Sequence, residues 1–408
     1  MKAFVIAGGV PQIELLKQLK SRGMTTVLAD GSPYAVARPY ADIFYHVDIF
    51  DIPAIKEIAE KEKVDLLLTV CADQVLLVVA EVSEMLGLPC YIGFKTAQDC
   101  SDKIRMKKIF KEAGVPTTDY VETDCLNMDA ISHLHYPLVV KPVDAYSSKG
   151  VRKAMNEEEL KQFYAEAKQI SRSGGVIVEE FFQGDEISVD AFVVDGKVKI
   201  LAVTNSEKVK DNDRFVIFRG RYPVAASQVV LKKIEDIAQK IADSFGLVNA
   251  PLLIQMLNNG DDVSVLEFCA RTGGNMKWLL IKYSCGVDVI SATIDITLGN
   301  KPDLELKDTG HKIVVDDFIY CYPGTFDHFE GFDEMVEQGY INEFHPVRIK
   351  GTEMHGVASS SDRIAGMNIV ANSIQEFNEK EKIILESVHV IDINGNDIMR
   401  RDLITELM

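Results

Sequence analysis

Apolar positions follow two alternating periods over residues 1–93. KAFVIAGG, TTVLAD, DLLLTV and PCYIG read as short strands; the first ends in Gly8-Gly9 and the second in Asp30. Between them, IELLKQLKSRG, IPAIKEIAEKEK and VLLVVAEVSEMLG place apolar residues at helical spacing. Strands separated by helices predict a parallel sheet with crossover connections. The glycine turn after the first strand is Rossmann-like. AGGVPQIE, however, is not a GxGxxG fingerprint, so a nicotinamide cofactor is not expected there.

The period then changes. SDKIRMKKIFKEAG predicts a helix with Ser101 as its N-cap and Gly114 as its stop. YPLVVKPV predicts a strand, DAYSSKG a loop, and NEEELKQFYAEAKQI a helix capped by Asn156. Further on, Asp195-Gly196 and Asn259-Gly260 each sit between strand-like runs and predict β-hairpins. QVVLKKIEDIAQKIADSFG is a long amphipathic helix between the two. Antiparallel hairpins here contrast with the parallel pattern before. Beyond residue 310, FDEMVEQG and SIQEFNEKEKIILES look helical and HVIDINGNDI reads as a strand and turn, with no chemical motif among them.

Composition narrows the class. A chain of 408 residues has room for two or three domains, at roughly 100–200 residues each. Its net charge of −18, with no basic block, disfavours a nucleic-acid partner. No apolar run is long enough to span a bilayer, and MKAFVIAGG reads as a first strand rather than a signal peptide. The seven cysteines are scattered without a CxxC pair. They predict reduced thiols and a cytoplasmic location, with neither a disulfide framework nor a zinc site.

Three stretches carry candidate chemistry. In YPLVVKPVDAYSSKGV, a strand bearing Lys141 runs into a small-residue loop with Lys149 and Gly150. Its backbone N–H groups and lysines suit phosphate oxygens, although a solvated surface hairpin reads equally well. In VIVEEFFQGDE, a strand end could present backbone groups to a base edge, with Glu186 reaching a ribose; solvated glutamates are the plainer reading of Glu179 and Glu180. In VLEFCARTGG, Glu267, Cys269 and Arg271 alternate onto one strand face. A hairpin loop at Asn259-Gly260 is expected to set Gln255 opposite Val265 and diagonal to Glu267, close enough to share one ion. A surface Glu–Arg pair is the competing reading.

Taken in order, these stretches resemble an ATP-grasp ligase, of the kind shared by biotin carboxylase, the carbamoyl phosphate synthase large chain and amino-acid ligases. The resemblance runs from residue 1 to about 300. It implies an α/β and α+β multidomain fold: a Rossmann-like pre-ATP-grasp domain (1–93), an ATP-grasp core (94–310) and a small C-terminal α+β region (311–408). A lid subdomain would span about 117–181. It implies ATP with Mg2+ (Mn2+ as the alternative ion) as cofactors. Lys103, Lys141, Ser147, Ser148, Lys149, Gly150 and Val151 would hold the phosphates. Glu179, Glu180, Phe181, Phe182, Glu186, Leu257 and Leu266 would hold the nucleoside. Gln255 and Glu267 would hold the metal, while Arg271 and Lys149 would be catalytic.

Two departures from the family pattern stand out. Cys269 occupies a place usually held by Asn, and a soft thiol is a poor ligand for a hard cation. The phosphate loop is poor in glycine, and no biotinylation segment follows the core, so bicarbonate carboxylation is less expected. The implied activity is ATP-dependent joining of a carboxylate to an amine through an acyl phosphate. The alternatives kept open are a carbamoyl-phosphate-type or carboxylating enzyme, and an ATP-binding regulatory protein with impaired catalysis. Arg219, Arg221, Gly273 and Gly274 are candidates for substrate contact. The partners expected are small-molecule carboxylate and amine substrates, with no membrane, and a homodimer stays open.

Overall fold

The structure is a computed structural model and describes residues 1–145, 149–209, 215–274 and 276–407. Its N-terminal sheet has four parallel strands in the order Ile43–His46, Thr25–Asp30, Lys2–Ile6, Leu66–Leu68. Helices Val10–Ser21 and Ile52–Glu62 supply two of the connections, a 3-10 turn at Arg38–Tyr40 lies in the third, and helix Asp73–Leu86 follows the last strand. Phe4, Ile6, Val27 and Leu67 are fully buried in its core. One expectation fails here: PCYIG forms no strand but leads as a loop into helix Phe94–Ser101. The fourth strand is IFYH instead, whose four residues are too few to show a period. Ser101 closes that helix, and Asp102 caps the next one, Lys103–Ala113, by accepting from the N–H groups of Ile104 and Arg105.

Residues 120–180 form a separate antiparallel sheet, Tyr120–Thr123, Val176–Glu180, Leu138–Pro142, Arg152–Ala154, covered by helix Glu157–Ile170. Asn156 caps that helix through the Glu159 N–H. The largest sheet has eight antiparallel strands. It runs Asp262–Cys269, Ala250–Asn259, Asp185–Val194, Lys197–Lys208, Ile217–Tyr222, Ile313–Ile319, Ala365–Ala371, Glu343–Pro346. It therefore crosses residue 310 without a break. Strand Ile313–Ile319 is buried along its whole length, as a central strand must be.

The hairpin at Gly260 departs from its expected register. Gln255 stands directly opposite Glu267, and Met256 opposite Val265. Leu266 is the extra residue, a β-bulge that re-aims side chains. Strict alternation sends Leu266 and Glu267 to opposite faces; with the bulge, both line the same cavity. No helix among the described residues is long and apolar enough to cross a membrane.

Candidate functional site

Two cavities open between the sheets, of about 280 and 460 Å3. Their linings share Lys103, Ala145, Gln255 and Glu267. The smaller lies between the 120–180 sheet and the strands of the eight-stranded sheet nearest it. Lys141, Lys149, Val151, Glu179, Glu180, Phe181, Phe182, Glu186, Leu257 and Leu266 all line it. Gly150 adjoins this wall with φ +76°, where an added Cβ would meet Ile170 and Pro142 at 2.8 and 3.0 Å. Ser147 and Ser148 lie outside the described residues.

Most charges of the smaller cavity are paired within the protein. Buried Glu179 accepts from Lys141 at 2.5 Å and stands 2.7 Å from the Lys107 ammonium. Burial opposes its ionised form, yet the two lysines together bring its carboxyl down to about 2. Lys107, which the sequence reading did not single out, also donates to the Thr117 and Thr118 hydroxyls. Glu179 thus acts through its side chain, bracing two lysines. At the strand end, the Glu180 carboxylate accepts the His135 N–H at 3.0 Å, and Lys153 sits 3.8 Å from the Phe181 ring centroid. Glu186 pairs with Lys208 at 2.8 Å and accepts from Gln255 Nε2 at 3.1 Å.

At the junction of the cavities, Lys103 stands 3.1 Å from Glu267 and donates to the Ala145 carbonyl at 3.1 Å. Burial alone would lower the Lys103 pKa; the neighbouring Glu267 carboxylate reverses this. Gln255 and Glu267, paired across two strands, both line the shared space and carry an amide and a carboxylate oxygen donor there. Among the described residues no group of three His, Cys, Asp or Glu could hold a metal by itself. Two oxygen donors do fit an ion such as Mg2+, which completes its shell with water and phosphate oxygens.

Arg271 lines the larger cavity and is buried. Its Nε donates to Asp73, at the start of helix Asp73–Leu86, and its Nη1 to the Thr272 carbonyl at 2.8 Å. Burial would raise the Asp73 carboxyl, but the guanidinium outweighs it and holds the group below its ordinary value. Asp73 was not foreseen: it comes from the N-terminal domain, far from any motif. The Cys269 thiol lies beside Asp73 and is held protonated by burial. Cys71 shares the cavity wall with φ +60°, and burial pushes its thiol up to about 12.

Gly273 and Gly274 line the larger cavity as well. An added Cβ at Gly273 would lie 2.6 Å from Lys277 and 2.8 Å from Asp190, so only glycine lets these pack. Lys277 donates to Thr204 and stands 3.6 Å from Asp190. The two other substrate candidates sit elsewhere. Arg219 is fully buried and lines neither cavity: it bonds Asp317 at 2.5 Å, Glu381, and the Thr405 carbonyl at 2.6 Å. Arg221 pairs with Glu207 at 3.2 Å and also lines neither. Residue type alone could not separate an arginine gripping a ligand from one anchoring the C-terminal segment. Asp316, Phe318, Ser360 and Arg363 line the larger cavity from a region where the sequence reading saw no chemistry.

Comparison with known proteins bears on this arrangement. Residues 134–278 match the ATP-grasp domain, and residues 4–89 match the PylC-like N-terminal domain. The mitochondrial carbamoyl-phosphate synthase [ammonia] of Homo sapiens is 23% identical over 326 residues, covering 75% of this chain and 21% of that protein. The chain thus spans about a fifth of the length of that relative. Phosphoribosylamine–glycine ligase of Lactococcus lactis subsp. lactis (strain IL1403) is 26% identical over 313 residues, covering 71% of each. The crystal structure of the L-amino acid ligase from Bacillus licheniformis aligns with a TM-score of 0.80 at 18% identity, covering 96% of this chain and 98% of that one. The chain thus carries an ATP-grasp domain over residues 134–278, with a PylC-like N-terminal domain ahead of it over residues 4–89.

Proposed function

We propose that this protein is an ADP-forming ligase that joins a carboxylate to an amine through an acyl phosphate. The observation that carries the reading is the junction of the two cavities. Lys103, Gln255 and Glu267 line both, so a nucleotide in the smaller can meet an acid in the larger. Lys103, Lys141 and Lys149 neutralise the phosphates of ATP, and the 179–182 strand end and Glu186 take the nucleoside. Gln255 and Glu267 would hold Mg2+, which would supply charge neutralisation for the phosphates. Arg271, fixed by Asp73, stabilises charge on the transferring phosphoryl group. The 120–180 sheet covers the nucleotide and excludes water from the acyl phosphate.

The experiment is a screen of acid–amine pairs with Mg-ATP, read by phosphate release. Release that requires both partners supports the ligase. Release with bicarbonate alone points to a carboxylating or carbamoyl-phosphate-type reaction. ATP binding with no release for any pair leaves a regulatory nucleotide-binding protein.

A further inference from the structure

The wall of the larger cavity away from the nucleotide holds two buried groups of opposite charge, each left incomplete. Arg363 is 4% exposed. Its Nε donates to the Tyr320 hydroxyl and its Nη2 to the Ile217 carbonyl, both at 3.0 Å. Its Nη1 has no partner, and no carboxylate among the described residues pairs with the guanidinium. The guanidinium lies over Phe318, 3.7 Å from the ring centroid. Asp316, two residues before Phe318 on the same strand, is 1% exposed. Asn368 donates to its Oδ1 at 2.7 Å, while Oδ2 has no partner.

Leaving a buried charge without its complement is costly, and two such charges on one wall are not an economy of packing. They do not bond each other, although both line the same cavity and Asp316 is near enough to favour the charged guanidinium; neither that nor the Lys277 ammonium satisfies Nη1 or Oδ2. A ligand carrying both complementary charges would complete them together. We propose that this wall is an amino-acid subsite, where Arg363 takes the carboxylate and Asp316 the amino group of one zwitterionic substrate. The inference deepens the ligase reading and rests on it for the substrate's role as the amine partner. Arg363 is not among the residues shared by the two cavities, and the carboxylate it would hold is that of the amine partner, not the one that is phosphorylated.

The chemistry of attack suits this placement. An ammonium must lose a proton before its nitrogen can attack an acyl phosphate. Burial pushes the Asp316 carboxyl up to about 7, a value suited to accepting that proton near neutrality. The C–N bond forms as the C–O bond to phosphate breaks. Of the two protons the nitrogen gives up, one passes to Asp316 and the other leaves on the phosphate.

The test measures binding without turnover. The twenty amino acids are tried singly by thermal shift. Each one that binds is then compared by calorimetry with its analogues lacking the amino group or the carboxylate (propionate and ethylamine for alanine). At least one amino acid is expected to bind, with both analogues weaker by about tenfold or more, the loss of one charge-assisted contact. Asp316→Asn should weaken the amino acid by a similar factor and leave the deaminated analogue unchanged. Arg363→Lys should weaken both. No response to any amino acid, or variants that bind as the unaltered protein does, would overturn the subsite. Should Arg363→Lys not fold, Asp316→Asn with the two analogues decides alone. Mg-ATP is measured in parallel: a normal nucleotide shift without an amino-acid response sinks the subsite and spares the ligase reading. An amino-acid response without a nucleotide shift does the reverse.

Discussion

The two cavities solve the problem of buried charge differently. Around the smaller, three of the four acids that line it have a lysine at hand: Glu179 with Lys141 and Lys107, Glu186 with Lys208, Glu267 with Lys103. Along the far wall of the larger, Asp316 and Arg363 each keep an unsatisfied atom. In the first case the lysines are held in place by carboxylates that a polyphosphate can displace or share. In the second the partners are missing, and a ligand has to supply them. On the proposed reading, a nucleotide pocket arranged in advance and a substrate wall left open are what a shared cofactor and a particular substrate call for.

The largest effect should come from breaking the pairing of the first cavity. Glu179→Gln leaves Lys107 and Lys141 buried together with no anion between them. A loss of about 3–5 kcal/mol in urea unfolding is expected, as when one partner of a buried ion pair is removed. The pH dependence has a definite sign. The Glu179 carboxyl lies at about 2 when folded, below its ordinary 4.5. Its contribution is therefore present above pH 4.5 and is lost as pH falls toward 2. Glu179→Gln should flatten that part of the acid-unfolding curve. An unchanged curve would mean that the lysines need no anchor, and the contrast between the cavities would fail.

Next in size is Arg271, the bond between the N-terminal domain and the larger cavity. Arg271→Ala should lower kcat by about 10²–10³, with ATP affinity little changed, as the loss of one preorganised donor does. Because Asp73 is left without its cation, circular dichroism and the Mg-ATP thermal shift must accompany the rate. Normal turnover would remove Arg271 from the chemistry and leave it as a structural tie.

Lys141→Ala sharpens the comparison on the nucleotide side. If Lys141 divides its charge between Glu179 and a phosphate, its loss should weaken ATP by about tenfold to a hundredfold by calorimetry. The fold should persist, since Lys107 still neutralises Glu179. Unchanged affinity would make the Lys107–Glu179–Lys141 group purely structural.

Legibility in the sequence followed the same division. Lys103, Lys141, Glu186, Gln255 and Glu267 sit at fixed offsets within local strand and loop patterns, and the structure brings them to one pair of cavities. The parallel sheet and both hairpins were readable from period and turn residues, because those signals are local. The bulge at Leu266 was not, since alternation carries no mark of an inserted residue. Asp73, Asp316 and Arg363 were missed for a further reason. Each comes from a different part of the chain, and only long-range strand pairing and domain packing bring them to one cavity. Arg219 failed in the opposite direction: a candidate for substrate contact, it proved to be the buried anchor of Asp317 and Glu381.

The smallest effect is expected at Cys269, which stands between Glu267 and Arg271 where the family pattern has a metal-binding amide. The thiol is held protonated by burial, with Asp73 beside it. A protonated thiol offers a hard cation nothing that a water does not. It also differs little in size from a hydroxyl, which could face the same Asp73 carboxylate. Cys269→Ser should therefore change kcat and the Mg2+ dependence by less than about twofold, below the ~1.4 kcal/mol that a tenfold change represents. Cys269→Asn, which adds an oxygen donor beside Glu267, should hold or raise Mg2+ affinity. A folded Cys269→Ser variant without activity would give the thiol a direct part in the reaction. The larger cavity would then owe part of its chemistry to a residue that departs from the family pattern.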